Sequence, residues 1–289
     1  FRSGSWQQDD VIPSDPVEDR KSIAQALKIA QQADIVVLAI GGNEQTSREA
    51  WARNHMGDRT SLDMAGMQDE LVEAMIAIGK PVIAVLFNGR PLSITHRSEK
   101  VPVILECWYL GQESGTAIAE VLFGDVNPGG KLPISIPRSV GHIPCYYNYK
   151  SSARRGYLFD DVSPLYAFGY GLSYTRFEFG TPRLKKRTIR PDESTTLSID
   201  VTNKGKRAGD EVVQMYIRDC VSSVTRPVKE LKGFRRITLK PGQTETVDLD
   251  ITPDHLAFYN IDMDYVVEPG EFEIMIGNSS RDCDLQKVK

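Results

Sequence analysis

No apolar run in this sequence is long enough to cross a bilayer. The longest, "DIVVLAI" (34–40) and "PVIAVLF" (81–87), fall far short of the roughly 20 residues that a spanning helix needs. Charge of one sign is also missing. Lys and Arg number 35 against 39 Asp and Glu, a net charge of −4, so there is no electrostatic case for nucleic acid or for an anionic membrane as partner. Cysteine is sparse. Cys107, Cys145, Cys220 and Cys283 are scattered without metal-type spacing, and they do not settle the redox compartment. Cys107 lies in an apolar run and reads as a buried thiol. No His/Cys/Asp cluster has the spacing of a metal site. "AIGGNE" (39–44) lacks both the dinucleotide fingerprint and the Walker lysine, and there is no G-x-S-x-G elbow. Metal, nucleotide cofactor and serine-triad chemistry therefore have no support. The N-terminus, "FRSGSWQQDD", has neither the basic nor the apolar region of a signal peptide. Internal repeats and low-complexity segments are absent.

What is present is a globular chain of 289 residues, 40% apolar and 26% charged, enough for two domains of common size. The first half alternates helix and strand signals. In "SDPVEDRKSIAQALKIAQQAD" (14–34), Asp15 is placed to cap a helix, with Pro16 at its first position and Glu18 as the capping-box partner. Ile23, Leu27 and Ala30 form its inward stripe. "DIVVLAIGG" (34–42) has no polar alternation, as expected of a strand covered on both faces. A second helix over 63–80 would bury Met67, Leu71, Met75 and Ile78 and stop at Gly79. Buried strands follow at 81–89 and 101–109, and a third helix at 114–125. This order predicts a parallel sheet with right-handed crossovers.

From Asn127 the texture changes. Residues 127–179 are rich in Gly, Pro and Tyr and carry too many aromatics to stay solvated. From Thr181 onward short strands alternate with turn signals such as "NKG", "KPGQ" and "EPGE", the pattern of an immunoglobulin- or fibronectin-type β-sandwich. The expected fold class is thus α/β plus all-β. Its expected parts are an α/β domain over 1–145, an aromatic-rich connecting segment over 146–180 and a β-sandwich over 181–289.

Ligands of open α/β sheets bind beyond the carboxyl ends of the strands. Three loops leave such ends: 41–62, "NGRPLS" (88–93) and "WYLGQESG" (108–115). The first is far longer than the about 4–6 residues of an ordinary connection. It holds "SREAWARNHMGDR" (47–59). Glu44 and Glu49 are candidates for acid–base work, which needs a carboxyl tuned toward the working pH. Trp51 could serve as an apolar wall beside Glu49. Alternatively, Glu49 is a solvated acid paired to Arg48 or Arg53. Asp58-Arg59 reads as a structural pair that folds the loop back, and His55 as a bystander. Trp108, Tyr109, Tyr157, Tyr166 and Tyr170 offer rings suited to carbohydrate faces or, equally, to domain interfaces.

Several long stretches resemble one family. "GKPVIAVLFNGRPLSI" (79–94), "ECWYLGQESGTAIAEVLFGDVNPGGKLPISIPRSVGHIPCYYN" (106–148) and "SPLYAFGYGLSYTRFEF" (163–179) are similar to the C-terminal half of glycoside hydrolase family 3, the β-glucosidase and β-xylosidase family. "RPVKELKGFRRITLKPGQTETVDLDI" (226–251) resembles its fibronectin type III-like domain. The resemblance implies a retaining glycosidase with two carboxylates about 5–5.5 Å apart. The nucleophile is then an Asp on an N-terminal (β/α)₈ barrel. The general acid/base is a Glu in a loop of the form Ser-x-Glu-Gly/Ala-aromatic, followed by Gly-Asp-Arg. Ser47-Arg48-Glu49-Ala50-Trp51 and Gly57-Asp58-Arg59 fit that form, which makes Glu49 the implied acid/base, with Glu44 as fallback. Trp51, Arg48 and Tyr157 are the residues expected to touch substrate. The implied partners are a β-linked oligosaccharide or glycoside and the barrel of the same enzyme; oligomeric state stays open, a homodimer included. A periplasmic or secreted location is also implied. This chain has no barrel and is expected to be part of a larger enzyme, inactive alone. The alternative is a non-catalytic carbohydrate-binding or structural module.

Overall fold

The structure is a computed structural model that describes residues 2–3, 11–50, 55–152 and 156–288. The chain divides into two compact units. The first comprises 1–114 and 136–143, the second 115–135 and 144–289.

The first unit opens with β1 (Arg2–Ser3) paired antiparallel to β2 (Val11–Ile12). Helix α1 (Pro16–Ala30) follows. Asp15 caps it as expected, its Oδ1 accepting from the Val17 amide at 2.9 Å. Glu18 does not close a capping box. It turns instead to Lys21 one turn on, at 2.6 Å. Strand β3 (Val36–Gly41), the short helix α2 (Glu44–Ser47), α3 (Gln68–Ala77), β4 (Val82–Phe87), α4 (Thr95–Ser98) and β5 (Val103–Glu106) complete the unit. The order β3-β4-β5 is parallel throughout, Val36 facing Val82 and Ile83 facing Val103. Helices α1 and α3 are neighbours, tied by two 3.0 Å bonds from Arg20 to Glu70. Met75 and Val72 are the most buried residues of α3, and Gly79, at φ +76°, ends its last turn. The backbone there demands a left-handed residue, which glycine supplies without strain.

One expectation fails in β3. Val36, Leu38 and Ile40 are buried, but Ile35 and Val37 are more than half exposed. The strand alternates, because among the described residues only one of its faces is covered. Two short helices, α2 and α4, stand where continuous loops are expected. Segment Ile136–Ile143 returns to this unit, where Thr95 Oγ1 donates to Arg138 O at 2.9 Å.

The second unit takes in most of α5 (Ser114–Phe123) and then β6 (Phe177–Phe179), β7 (Arg183–Leu184), β8 (Thr195–Asn203), β9 (Gly209–Asp219), β10 (Glu230–Leu239), β11 (Thr244–Ile251), α6 (Pro253–Leu256), β12 (Phe258–Tyr259), β13 (Tyr265–Val266), β14 (Phe272–Gly277) and β15 (Leu285–Val288). One sheet runs β10-β9-β14-β15. The other runs β11-β8-β6, with β7 also on β8. Strand β8 alternates perfectly, sending Leu197, Ile199 and Val201 inward to meet Val213, Met215, Ile217, Ile274 and Ile276 of the opposite sheet. Each such side chain contributes about 1.5–3 kcal/mol by leaving water. This is the expected sandwich, although its first strand, β6, lies ahead of the Thr181 boundary read from the sequence.

The aromatic-rich segment packs on the outer face of the β9–β14 sheet. Tyr147 stacks on Phe168 with centroids 4.3 Å apart and meets Tyr216 edge-on at 5.8 Å. Tyr216, Met275 and Leu285 are thereby buried. Tyr216 has no solvent exposure at all, and burial pushes its phenol upward from its usual value. Its hydroxyl donates to Gln214 Oε1 at 2.6 Å, and the same amide reaches Gly169 O at 3.0 Å. Phe258 is likewise buried, leaving Tyr259 and Tyr265 as an exposed pair 5.0 Å apart. Lys131 and Glu211 form a buried ion pair at 2.7 Å, their side chains 12% and 5% exposed.

Candidate active-site loop

The carboxyl ends of β3, β4 and β5 meet as the parallel sheet requires. At the end of β3 the chain turns through Gly41, at φ +131°. A Cβ there would lie 2.0 Å from Phe87 O, so no other residue fits. The Gln68 side chain grips this turn by both backbone groups. Its Oε1 accepts from Gly41 N and its Nε2 donates to Gly41 O, each at 2.7 Å. The amide acts as one residue of a neighbouring strand. Asn43 then caps α2 in a capping box, Asn43 Oδ1 accepting from Thr46 N at 3.1 Å and Thr46 Oγ1 from Asn43 N at 2.9 Å.

Beyond α2 lies the segment that carries Glu49. Arg48 O accepts from Asp58 N at 3.2 Å and from the Arg90 guanidinium at 2.9 Å. The same Arg90 nitrogen reaches Ser47 O at 2.5 Å. Ala50 N donates to Asp58 Oδ1 at 3.3 Å. Asp58 thus folds the loop back, as expected, but through backbone on both sides of Glu49. Arg59 bonds elsewhere, to Asp63 O at 2.5 Å. Asp58 takes a positive φ of 39° to do this. Gly57 lies flat against the segment: a Cβ on it would sit 2.6 Å from the Glu49 carbonyl carbon.

Glu49 itself is exposed, as is Glu44. The side chain of Arg48 is only 9% exposed. It donates to Met56 O at 2.8 Å and lies 3.7 Å from Glu44, so its visible work is to hold the loop. Trp51 and Arg53 lie outside the described residues. Tyr157 is exposed in the second unit, on the same loop as Asp160.

Sequence reasoning did not single out Glu106, the last residue of β5. Burial pushes its carboxyl from 4.5 up to about 7, against the Trp108 amide and the Asn88 side chain, which favour the ionised form. Oε1 accepts from Trp108 N at 3.2 Å and Oε2 from Asn88 Nδ2 at 3.4 Å. The available signal was an acid closing an otherwise apolar strand, "PVILE". Trp108 has φ +54°, and Tyr109, expected as a ring for sugars, uses its hydroxyl on Ser47 Oγ at 2.7 Å. Cys107 is half-buried, its thiol raised by burial and by Glu106. Among the described residues no group of His, Cys, Asp or Glu is arranged to hold a metal ion, and no helix is long and apolar enough to cross a membrane.

Comparison with known proteins agrees with this architecture. A β-xylosidase of Formosa agariphila is 50% identical over 273 residues, 93% of this chain and 37% of the relative. A periplasmic β-glucosidase of Salmonella typhimurium is 44% identical over 283 residues, 94% of this chain and 36% of the relative. The chain therefore spans little more than a third of the length of these relatives. The solved structure of a β-glucosidase from Erythrobacter marinus superposes with a TM-score of 0.94 at 43% identity, covering all of this chain and 38% of that one. Residues 7–174 match the glycosyl hydrolase family 3 C-terminal domain and residues 211–280 the fibronectin type III-like domain. With an open parallel sheet, a clamped acidic loop at its carboxyl rim and a following β-sandwich all in place, the chain belongs to glycosyl hydrolase family 3, of which it is a C-terminal portion.

Proposed function

We propose that this chain is the C-terminal part of a retaining, exo-acting β-glycosidase, a β-glucosidase in the first instance, and that Glu49 is its general acid/base, with Glu44 the fallback. The observation that supports this best is the clamp on Glu49. Backbone groups on both sides of it are fixed by Asp58 and Arg90, while the residue itself is exposed. A proton donor that must reach a sugar held elsewhere needs that combination of fixed backbone and accessible carboxyl.

In the reaction, an Asp on an N-terminal barrel attacks the anomeric carbon while Glu49 protonates the departing oxygen. Glu49 then takes a proton from the water that attacks the glycosyl-enzyme. Trp51 and Tyr157 are proposed to face the sugar, and Arg48 to hold the donor loop. A β-xylosidase is the second reading, favoured by the 50% identity to the Formosa agariphila enzyme.

The test is Glu49→Ala in the complete protein. Hydrolysis of glycosides with poor leaving groups should fall at least about a hundredfold more than that of activated aryl glycosides, because only the former need protonation. Azide should partly restore turnover. Equal loss on both classes, without rescue, moves the role to Glu44 or outside this loop.

A further inference from the structure

Three strand-end loops meet around one carboxylate. Oε2 of Glu106 accepts from Asn88 Nδ2, and the same nitrogen donates to Arg90 O at 2.9 Å. Arg90 in turn holds Ser47 O and Arg48 O. Oε1 of Glu106 accepts from Trp108 N, whose residue is held in left-handed backbone that a bulky side chain disfavours. That turn presents Tyr109, which lies against Gly89, where a Cβ would come within 2.5 Å of its ring. The Tyr109 hydroxyl reaches Ser47 Oγ at 2.7 Å. Two chains of bonds leave the two oxygens of one side chain and arrive at the same residue, two positions before Glu49.

We infer that Glu106 is a positioning residue for the proton donor: it ties the ends of β4 and β5 into one frame, and that frame holds the Ser47–Arg48 backbone from which Glu49 projects. The inference rests on the acid/base reading of Glu49. Asn88 is 1% exposed, so its link to Glu106 is shielded from water, and its Oδ1 is buried without a partner among the described residues. A carboxamide in place of the Glu106 carboxyl keeps an acceptor for Trp108 N–H but turns an NH2 toward Asn88 Nδ2, so it keeps one link and loses the other. Alanine offers neither.

The experiment compares Glu106→Gln, Glu106→Ala and Tyr109→Phe with Glu49→Ala in the complete protein. One readout is amide hydrogen exchange over residues 47–58. The other is kcat across leaving groups of rising acidity. Glu106→Ala should speed exchange of the Ala50 and Asp58 amides at least about tenfold. It should also lower kcat on poor leaving groups about tenfold more than on activated ones, because a displaced donor fails where protonation matters. Glu106→Gln, which keeps the Trp108 link alone, should fall between the parent and Glu106→Ala on both measures. Tyr109→Phe, which keeps the buried carboxyl, should show the same bias in smaller degree, and it decides the matter if Glu106→Ala does not fold. Unchanged exchange, or equal losses on both substrate classes while Glu49→Ala shows the leaving-group bias, overturns the inference. If Glu49→Ala lacks the bias, the acid/base reading fails. Exchange then judges the frame alone: faster exchange in Glu106→Ala supports it and unchanged exchange refutes it.

Discussion

Replacing Glu106 by glutamine is expected to favour the first unit by about 2 kcal/mol more at pH 8 than at pH 4. The carboxyl ionises near pH 7 in the folded chain and near 4.5 when exposed, with burial as the main cause. A carboxyl whose folded pKa is raised favours folding least when ionised. Its cost is absent below pH 4.5, grows as pH rises from there to 7, and is constant above. Each pH unit in that window amounts to about 1.4 kcal/mol, hence about 3 kcal/mol if the site were fully shielded and about 2 kcal/mol after allowing for its partial contact with solvent. Glutamine removes the ionisation and keeps the acceptor for Trp108 N–H, while its loss of the Asn88 bond applies equally at every pH. The advantage of Glu106→Gln over the parent should therefore open through that window and then level off. Urea unfolding followed by tryptophan fluorescence suits the question, because Trp108 lies in the first unit two residues beyond Glu106. Stability curves of parent and variant that run parallel from pH 4 to 8, within about 0.5 kcal/mol, would refute the shifted ionisation.

Gly57→Ala places a methyl against the Glu49 backbone and should cut kcat of the complete enzyme by about tenfold or more with little change in KM, since small displacements of a catalytic group are costly; steady-state kinetics on a β-glucoside and a β-xyloside check this. Glu211→Ala strands the buried Lys131 cation and should cost the second unit about 3–5 kcal/mol, read as a lowered calorimetric transition. The sandwich is expected to be a scaffold: in the complete protein, replacing the exposed Tyr259–Tyr265 pair by alanine should leave calorimetric binding of cello- and xylo-oligosaccharides unchanged, and a loss of binding would make the sandwich a sugar site. Residues 1–289 alone should not hydrolyse nitrophenyl β-glucosides or β-xylosides, and turnover by the purified chain would require a second carboxylate within it, with Glu44, Asp58 and Asp160 the first to replace.

What could be read from the residues was what short-range physics decides. The Asp15–Pro16 helix start, the Gly79 stop and the alternation of β8 each depend on neighbours within a turn or a strand. Glu18 was misassigned because Lys21 competes for it one turn away. The two-sided burial expected of β3 failed because an unbroken apolar run records what a strand can tolerate and not what covers it. Tyr216 illustrates the same limit. The rings that cover it come from Tyr147 and Phe168, 69 and 48 positions earlier in the chain. In the candidate site, the acidic loop stood out by its length and mix of charges. Glu106 did not, because its Asn88 partner lies on the adjacent strand end, 18 positions away, and a single acid after an apolar strand has no local pattern to mark it.

The chain passes between its two units three times, after Ser114, Ser135 and Ile143. During synthesis the first unit cannot be completed when its sheet has emerged. It must wait for Ile136–Ile143, whose Arg138 carbonyl receives Thr95. By then residues 115–135, which belong with the β-sandwich, have already left the ribosome ahead of every strand they will join. The same interleaving bears on inheritance. A genetic crossover at any single point between residues 114 and 144 separates a stretch of sequence from the unit that needs it. The two units should therefore be transmitted as one block, and the sandwich should not be exchangeable by simple end-joining at its first strand.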